Sequence, residues 1–595
     1  VHNLELARRR LAVFAGIASL AAVVGLGYAA QSVQGAEPSH ASSPCKGDNG
    51  GLTLSPGFCA TVFADNLGHV RHMVVASDGT LYANTWSGQY FANSPPPPGG
   101  FLLALKDTTG AGRADIVRRF GVTVEEGGTG GSGIALYNGA LYAEENSRIL
   151  RYQLTPGSIV PSGKPSVIVT GLTLTGDHPM HPFIIDAKGQ LFVDIGSATN
   201  ACQSQNRIAG SRGISPCTEK ETRAGTWRFD ANKTDQAFSP AERYVSGLRN
   251  GEGFAFDDAG RLFATQHGRD QLFQNWPKFY TADQSAAEPA EELVELVHGA
   301  DYGWPECYFD NHQGKLVLAP EYGGDGGKTV GVCAHRTPPV AAFPGHWAPN
   351  DLLIYHGHKF PAGYRGGAFI AFHGSWNRAP DPQGGYNVVF QPLANGKASG
   401  KFVVFANGFA GAYLDPGRAA FRPTGLAQAP DGSIYVADDV HGRIWHVTYD
   451  GDGTDKVAAA PAALVSASAS NPLPPEGIHP NAGRSDQTLP VPPGATMEEV
   501  TLGNRIFHGQ ASSGTCSGCH GSDAGGSPQG PPLNAGHWMW SNGSLAGLRE
   551  TIEKGVPHPK KYQGVMPPLG GAPLSKQDVD AVAAYVWAIG HTHSR

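Results

Sequence analysis

One phrase recurs along the first three quarters of the chain and restricts its fold more than any other feature: a polar turn containing glycine, then at once a short apolar strand. It is read in "SDGTLYANTW", "YNGALYAEEN", "DAKGQLFVDIG", "DDAGRLFATQHG", "YRGGAFIAFHG" and "PDGSIYVADDV". Each copy has the make-up of a hairpin turn feeding a strand rich in aromatic and branched residues. Copies spaced along one chain predict an all-β six-bladed β-propeller over residues 45–451, rather than a generic array of β-sandwiches. The composition agrees, with 81 glycines, 45 prolines and only 16% charged residues, a turn-rich balance that disfavours a helical bundle. The spacing is uneven between the fourth and fifth copies, where "FQNWPKFYTADQSAAEPAEE" reads as a large loop insertion. A formal charge of -7 offers no basic face for nucleic acid.

The two ends read differently. Residues 1–36 hold three arginines, Arg8 to Arg10, before a long apolar run, and small residues follow at Gly35 and Ala36. That is the pattern of an export signal, or of a membrane anchor where it is not cleaved. Export implies a periplasmic protein in which disulfides persist. Of the eight cysteines, six fall into near neighbours, and short loops favour Cys45 with Cys59, Cys202 with Cys217 and Cys307 with Cys333. Residues 452–495 are rich in Ala, Ser and Pro without a sustained apolar period, which predicts a linker.

Beyond it, residues 496–595 form a small domain built around "TCSGCHG". A C-x-x-C-H stretch is the attachment signal of haem c: Cys516 and Cys519 bind the porphyrin covalently and His520 ligates the iron. A structural zinc site would need four ligands, and no second cysteine pair is present. The other axial ligand is expected from Met566 in "YQGVMPPLGG", with Met539 in "HWMW" as its competitor. Ser575 and Asp578 form a capping box for a last helix, whose Val579, Val582, Val586 and Ile589 recur at helical spacing and should pack on the haem. With "GNRIFHG" before the haem motif, the tail resembles a small all-α class I cytochrome c domain.

In the front part, "GLRNGEGFAF", "TQHGRD" and "ADYGWP" resemble stretches of the soluble glucose and sorbosone dehydrogenases, six-bladed propellers that use pyrroloquinoline quinone (PQQ) with calcium. The cytochrome and the loop "AFHGSWNRAP" tilt the resemblance toward the sorbosone branch. It implies His178 as catalytic base, Arg249 at the quinone carbonyls and Asn250 as a neighbouring cofactor contact. It further implies backbone carbonyls of Gly268 and Arg269 as calcium ligands, and Arg422 at the cofactor. His373 or Arg378 would stand near a cation that pairs with a PQQ carboxylate. His181 falls where the family has no catalytic residue and reads equally as a packing group. Two positions depart from the family: Ser197 stands where an acidic residue orients the histidine, a duty Asp194 or Asp177 could take, and Glu252 replaces a glutamine near the substrate.

A neutral imidazole can take a hydroxyl proton, an arginine can stabilise the charge that forms on a quinone oxygen, and three carboxylates on PQQ call for several cations. The expected function is oxidation of an aldose or a sugar aldehyde such as sorbosone, with electrons passing from PQQ to haem c and on to a respiratory acceptor. A calcium-dependent sugar lactonase, or a sugar- or partner-binding propeller with an electron-carrier cytochrome, are the alternatives.

Overall fold

The computed structural model describes residues 45–591, other than 46, 89–90, 92–95, 123–127, 208–209, 379–380, 413, 415–418, 454–455, 462–488, 508–510, 513, 515, 521–523, 527–529, 563–565 and 573. The expected export or anchor segment, residues 1–36, lies outside them, as does most of the expected linker. Among the described residues no helix is long and apolar enough to cross a membrane.

Six antiparallel sheets follow one another around a central channel. The first comprises Val70–Val75, Leu81–Thr85, Leu102–Lys106 and Ile116–Phe120. The second comprises Ile134–Tyr137, Ala140–Glu145, Arg148–Gln153 and Ser166–Thr170, with Gln236–Ala237 added in parallel at its outer edge. Phe183–Ile185, Gln190–Ile195, Gly225–Asp230 and Arg243–Ser246 make the third, and Gly251–Phe256, Leu262–Gln266, Glu291–Glu295 and Ala341–Phe343 the fourth. The fifth is Pro349–Ile354, Ala368–Phe372, Asn387–Gln391 and Val403–Asn407, edged by Thr53–Leu54. Pro423–Gln428, Ile434–Asp438 and Ile444–Tyr449 make the sixth, whose outer strand is Phe58–Ala64 from the other end of the propeller. The second strand of every blade is one of the six recurring phrases.

Apolar side chains fill the spaces between blades; the largest such core, between the fifth and sixth, includes Phe58, Phe360, Phe369, Phe405 and Trp445. The inner strands are buried, so their polar groups need partners within the protein. Neighbouring blades supply them: Asn84 donates to the Gly133 carbonyl at 2.8 Å, Thr265 to Pro349 at 2.9 Å and Thr424 to Val70 at 2.9 Å. The expected disulfides Cys45–Cys59, Cys202–Cys217 and Cys307–Cys333 are all formed. The insertion expected to be loop contains two short helices, Leu272–Asn275 and Ala282–Ala287, the latter opened by a Thr281–Gln284 capping box.

The C-terminal domain is helical, with Met497–Phe507, Leu545–Lys554 and Lys576–Gly590 as its main helices. The first and last cross at Gly503, where a Cβ would sit 2.0 Å from the Ala581 carbonyl, so only glycine allows the approach. The Ser575–Asp578 capping box is present. The ends of the expected linker are docked: Ala458 accepts from Ser55 Oγ at 2.6 Å on the propeller, while Leu489 and Ala495 pack into the helical domain.

Candidate active site and haem pocket

A single cavity of about 600 Å³ is walled by residues of both domains. On the propeller side it is lined by Arg71, His178, Arg249, Asn250, Glu252 and Arg422, among others. On the cytochrome side Cys516, Cys519, His520, Met566, Val582 and Val586 face it.

His178 sits in the approach to the first strand of the third blade and is buried. Its Nδ1 lies 2.9 Å from the Ser197 carbonyl and 3.1 Å from Ser197 Oγ. The hydroxyl gives its own proton to the Thr199 carbonyl at 2.7 Å, so Nδ1 must carry the hydrogen and Nε2 the lone pair. Burial first, and the nearby Arg249 charge second, hold the imidazole well below its ordinary pKa, hence neutral. Neither carboxylate considered from sequence orients it: Asp194 accepts from the Gly251 amide at 3.2 Å and Asp177 binds Arg207. Ser197, through its carbonyl and hydroxyl, does that work itself. A Cβ on Gly196 would lie 2.5 Å from that of His178, so glycine is needed beside the base.

Arg249 is buried and held on every side. It donates to the Asn200 carbonyl at 3.2 Å, Asn200 Oδ1 at 3.1 Å, the Gly268 carbonyl at 2.9 Å and Asp270 Oδ2 at 3.0 Å. Asp270 was not anticipated, although it closes the quoted "TQHGRD". Burial opposes its charge, but Arg249 and Arg207 override that and keep its carboxyl well below the usual range. Asn250 gives Nδ2 to Glu252 Oε1 at 3.3 Å, and among the described residues its own buried Oδ1 has no hydrogen-bond partner. Burial pushes Glu252 up to about 7, against the pull of Arg71 3.7 Å away.

Arg71, on the innermost strand of the first blade, pairs with Asp439 at 2.8 Å; a charged residue beginning an apolar strand was the signal that could have found it. His373 lies in the wall with Nε2 2.8 Å from Asp439 Oδ1, and burial followed by the Arg422 charge lowers it to about 4. Arg422 donates to the His373 and Gly374 carbonyls at 3.1 and 3.0 Å. Four guanidiniums, those of Arg71, Arg207, Arg249 and Arg422, line one cavity, a set of cations that fits a small, polyanionic quinone.

One expected side chain faces elsewhere, and a second residue, expected through its backbone carbonyl, turns its side chain away. Arg378 is tied to the Ala286 and Gly345 carbonyls, both at 2.8 Å, and takes no part in the wall. The Arg269 guanidinium turns to Glu321 at 2.5 Å. His181 is buried against Glu144 at 3.0 Å as a packing group. For calcium, the Gly268 carbonyl is at the cavity but already accepts Arg249, and among the described residues no cluster of His, Cys, Asp or Glu could hold a metal ion. These protein donors alone do not make a calcium site.

The haem expectation fits better. Cys516 and Cys519 are outside any disulfide; Cys516 stands just before the short helix Ser517–His520 and Cys519 lies within it. His520 Nδ1 donates to the Pro531 carbonyl at 2.9 Å, which leaves Nε2 for iron. Met566 is fixed by a two-way bridge with Val556, at 2.7 and 3.2 Å, and packs on the domain's core. Met539 also lines the cavity but is 42% exposed. Phe507, Leu548, Ile552, Val582 and Val586 supply the apolar wall that a porphyrin needs.

Comparison with known proteins places this geometry. The TrAA12-like family model matches residues 52–450, and the cytochrome c model matches 500–590. The pyrroloquinoline quinone-dependent pyranose dehydrogenase of Coprinopsis cinerea is 29% identical over 227 residues, 33% of this chain and 30% of that protein. The chain therefore matches less than a third of that relative's length. The holo form of the PQQ domain of the Coprinopsis cinerea enzyme superposes with a TM-score of 0.52 at 19% identity, covering 67% of this chain and 97% of that one. The calcium structure of a Trichoderma reesei Carbohydrate-Active Enzymes Family AA12 protein gives 0.53 at 19%, with the same coverage. At such identities the two structures establish a shared fold. With its strands, cavity and matched residues taken together, the chain belongs to the TrAA12-like family and carries a cytochrome c domain behind the propeller.

Proposed function

We propose that this protein is a PQQ- and haem c-dependent dehydrogenase that oxidises an aldose or a sugar aldehyde, sorbosone-like, to a lactone or aldonic acid. One observation carries the reading: the propeller wall with His178 and Arg249 and the haem pocket of the cytochrome share a single cavity. Bound PQQ supplies a two-electron acceptor for hydride, and bound haem a one-electron carrier.

The chain's own part follows from its geometry. His178, neutral and with Nδ1–H given to Ser197, takes the hydroxyl proton of the sugar at Nε2. Arg249, held rigid by Asn200, Gly268 and Asp270, needs no reorganisation to stabilise negative charge that develops beside it. Glu252, whose carboxyl burial pushes up to about 7, faces the same space and offers a hydrogen-bond partner to a sugar hydroxyl. Arg71 and Arg422 meet the cofactor's carboxylates. His520 and Met566 hold iron, while Cys516 and Cys519 hold the porphyrin.

The apolar, arginine-led N-terminus supports export to the periplasm, with membrane association where it is uncleaved. The electrons then go to a respiratory acceptor. Calcium is proposed alongside PQQ, with the Gly268 and Arg269 carbonyls completed by oxygens of a bound ligand. The test is anaerobic: the haem-loaded protein is given PQQ and calcium, then sorbosone or a panel of aldoses, while haem absorbance is followed. PQQ-dependent reduction is expected, and its rates rank the sugars. No reduction by any sugar despite bound PQQ sinks the reading and favours a binding propeller. Repeating the titration with a chelator tests the calcium.

A further inference from the structure

Arg207 belongs neither to the expected quinone site nor to the haem site, yet it stands where the two halves of the cavity meet. It sits on the connection 198–223 of the third blade, which the Cys202–Cys217 disulfide closes. Its guanidinium is fixed by three partners: Asp177 Oδ2 at 3.2 Å from Nε and 2.9 Å from NH2, Asp270 Oδ2 at 3.0 Å, and Gln271 Oε1 at 3.1 Å.

Beyond Arg207 comes the cytochrome. A Cβ on Gly571 would lie 3.7 Å from Gln271 Nε2 and 3.8 Å from the Arg207 carbonyl, and one on Gly570 would lie 3.9 Å from Cys516 Sγ. On the near side, Asp270 Oδ2 takes Arg249 at 3.0 Å as well. A run of ion-paired side chains, Arg249, Asp270 and Arg207, thus leads from the wall of the propeller site to the point where Arg207 and Gln271 meet Gly571 of the cytochrome, next to the Gly570 that lies beside Cys516.

We propose that Arg207 is a positioning residue that docks the thioether edge of the haem over the propeller mouth and, by its charge, raises the haem potential for accepting electrons from the quinone. This rests on the function proposed above. Each sugar oxidised delivers two electrons; each electron converts one ferric haem to ferrous, and a one-electron oxidant outside the chain removes the first before the second arrives. The protons of the reduced quinone pass to water. Two arginines and two aspartates balance in the cluster, so loss of Arg207 leaves an extra negative charge beside the haem and favours its ferric state.

The experiment compares the haem-loaded native protein with Arg207→Gln and Arg207→Lys by spectroelectrochemistry, by stopped-flow haem reduction with PQQ and sugar, and by dye-linked turnover that draws electrons from the propeller directly. Arg207→Gln should lower the midpoint potential and slow haem reduction about tenfold, the cost of a barrier raised by about 1.4 kcal/mol. Dye-linked turnover should stay near native. Arg207→Lys keeps the charge without the fork, and should restore the potential but only part of the rate. Should Arg207→Gln not accumulate, Gln271→Glu puts a carboxylate on the same guanidinium and should also lower the potential. An unchanged potential and rate in these variants overturns the proposal; so does dye-linked turnover that falls in step with haem reduction, since Arg207 would then serve the chemistry itself. If the potential shifts but no sugar reduces the native haem, the placement of the charge is upheld and the proposed sugar oxidation is what fails.

Discussion

Asp270→Asn tests whether the charges beneath the cavity are a structural unit. In the native protein one carboxylate oxygen accepts from Arg249 and Arg207, both at 3.0 Å, while the other accepts from Asn377 at 2.9 Å. With charge centres about 4 Å apart and an effective dielectric of about 20, each pair is worth about 4 kcal/mol before costs. Repulsion between the two guanidiniums and desolvation of the carboxylate take back a large part. Removing one partner of a buried pair costs about 3–5 kcal/mol, because the cations stay behind without their anion, and that is the loss expected here. The pH dependence has a definite sign. Asp270 is depressed in the folded state, so its contribution is complete above the unfolded value and is lost as pH falls through the folded one. The gap between native and Asp270→Asn should therefore be constant from pH 7 down to about 5 and shrink below about 4. Denaturant unfolding of the haem-loaded chain, followed by circular dichroism across that range, measures it. A loss under about 1 kcal/mol, within the scatter of ordinary surface changes, or a gap unchanged at pH 3, would refute the argument.

Three further outcomes are expected. His178→Ala should cut sugar-driven haem reduction by about 10²–10⁴-fold with an unaltered haem spectrum, measured by stopped flow. Met566→Ala should change the visible spectrum and lower the potential, whereas Met539→Ala should leave both as they are; spectroelectrochemistry separates the two methionines. Replacing Cys202 and Cys217 by Ser opens a bridge spanning 15 residues, and should cost about 3 kcal/mol in denaturant unfolding while loosening the loop that carries Arg207.

The blades were legible because each recurring phrase pairs a turn glycine with an apolar strand, and that strand proves to be the second of its blade, where it is buried on both faces. The innermost strands were harder to read. They interrupt their apolar run with channel-facing polar residues, as Val70–Val75 does at Arg71 and His72, so period alone could not find them. Motif spacing picked out His178, Arg249, Cys516, Cys519, His520 and Met566, all of which line the cavity. It could not show which way Arg269 and Arg378 turn, since a long side chain follows the nearest acceptors: Glu321 for one, two carbonyls for the other. Asp270 and Arg207 escaped notice for a related reason. They come together only when residues 177, 207, 249 and 270 meet in space.

The outer strand of the sixth blade is Phe58–Ala64, paired along Ile444–Tyr449. This sets an order of events during synthesis. The ring cannot close until the sixth blade has emerged from the ribosome, so its earliest strand waits with an unpaired edge for nearly the whole propeller to be made, a non-local pairing of the kind that folds slowly. The cytochrome is made after that point. By the time haem is attached, the chain behind it can already be a closed ring, and the surface that receives the cytochrome is then formed before the cytochrome is.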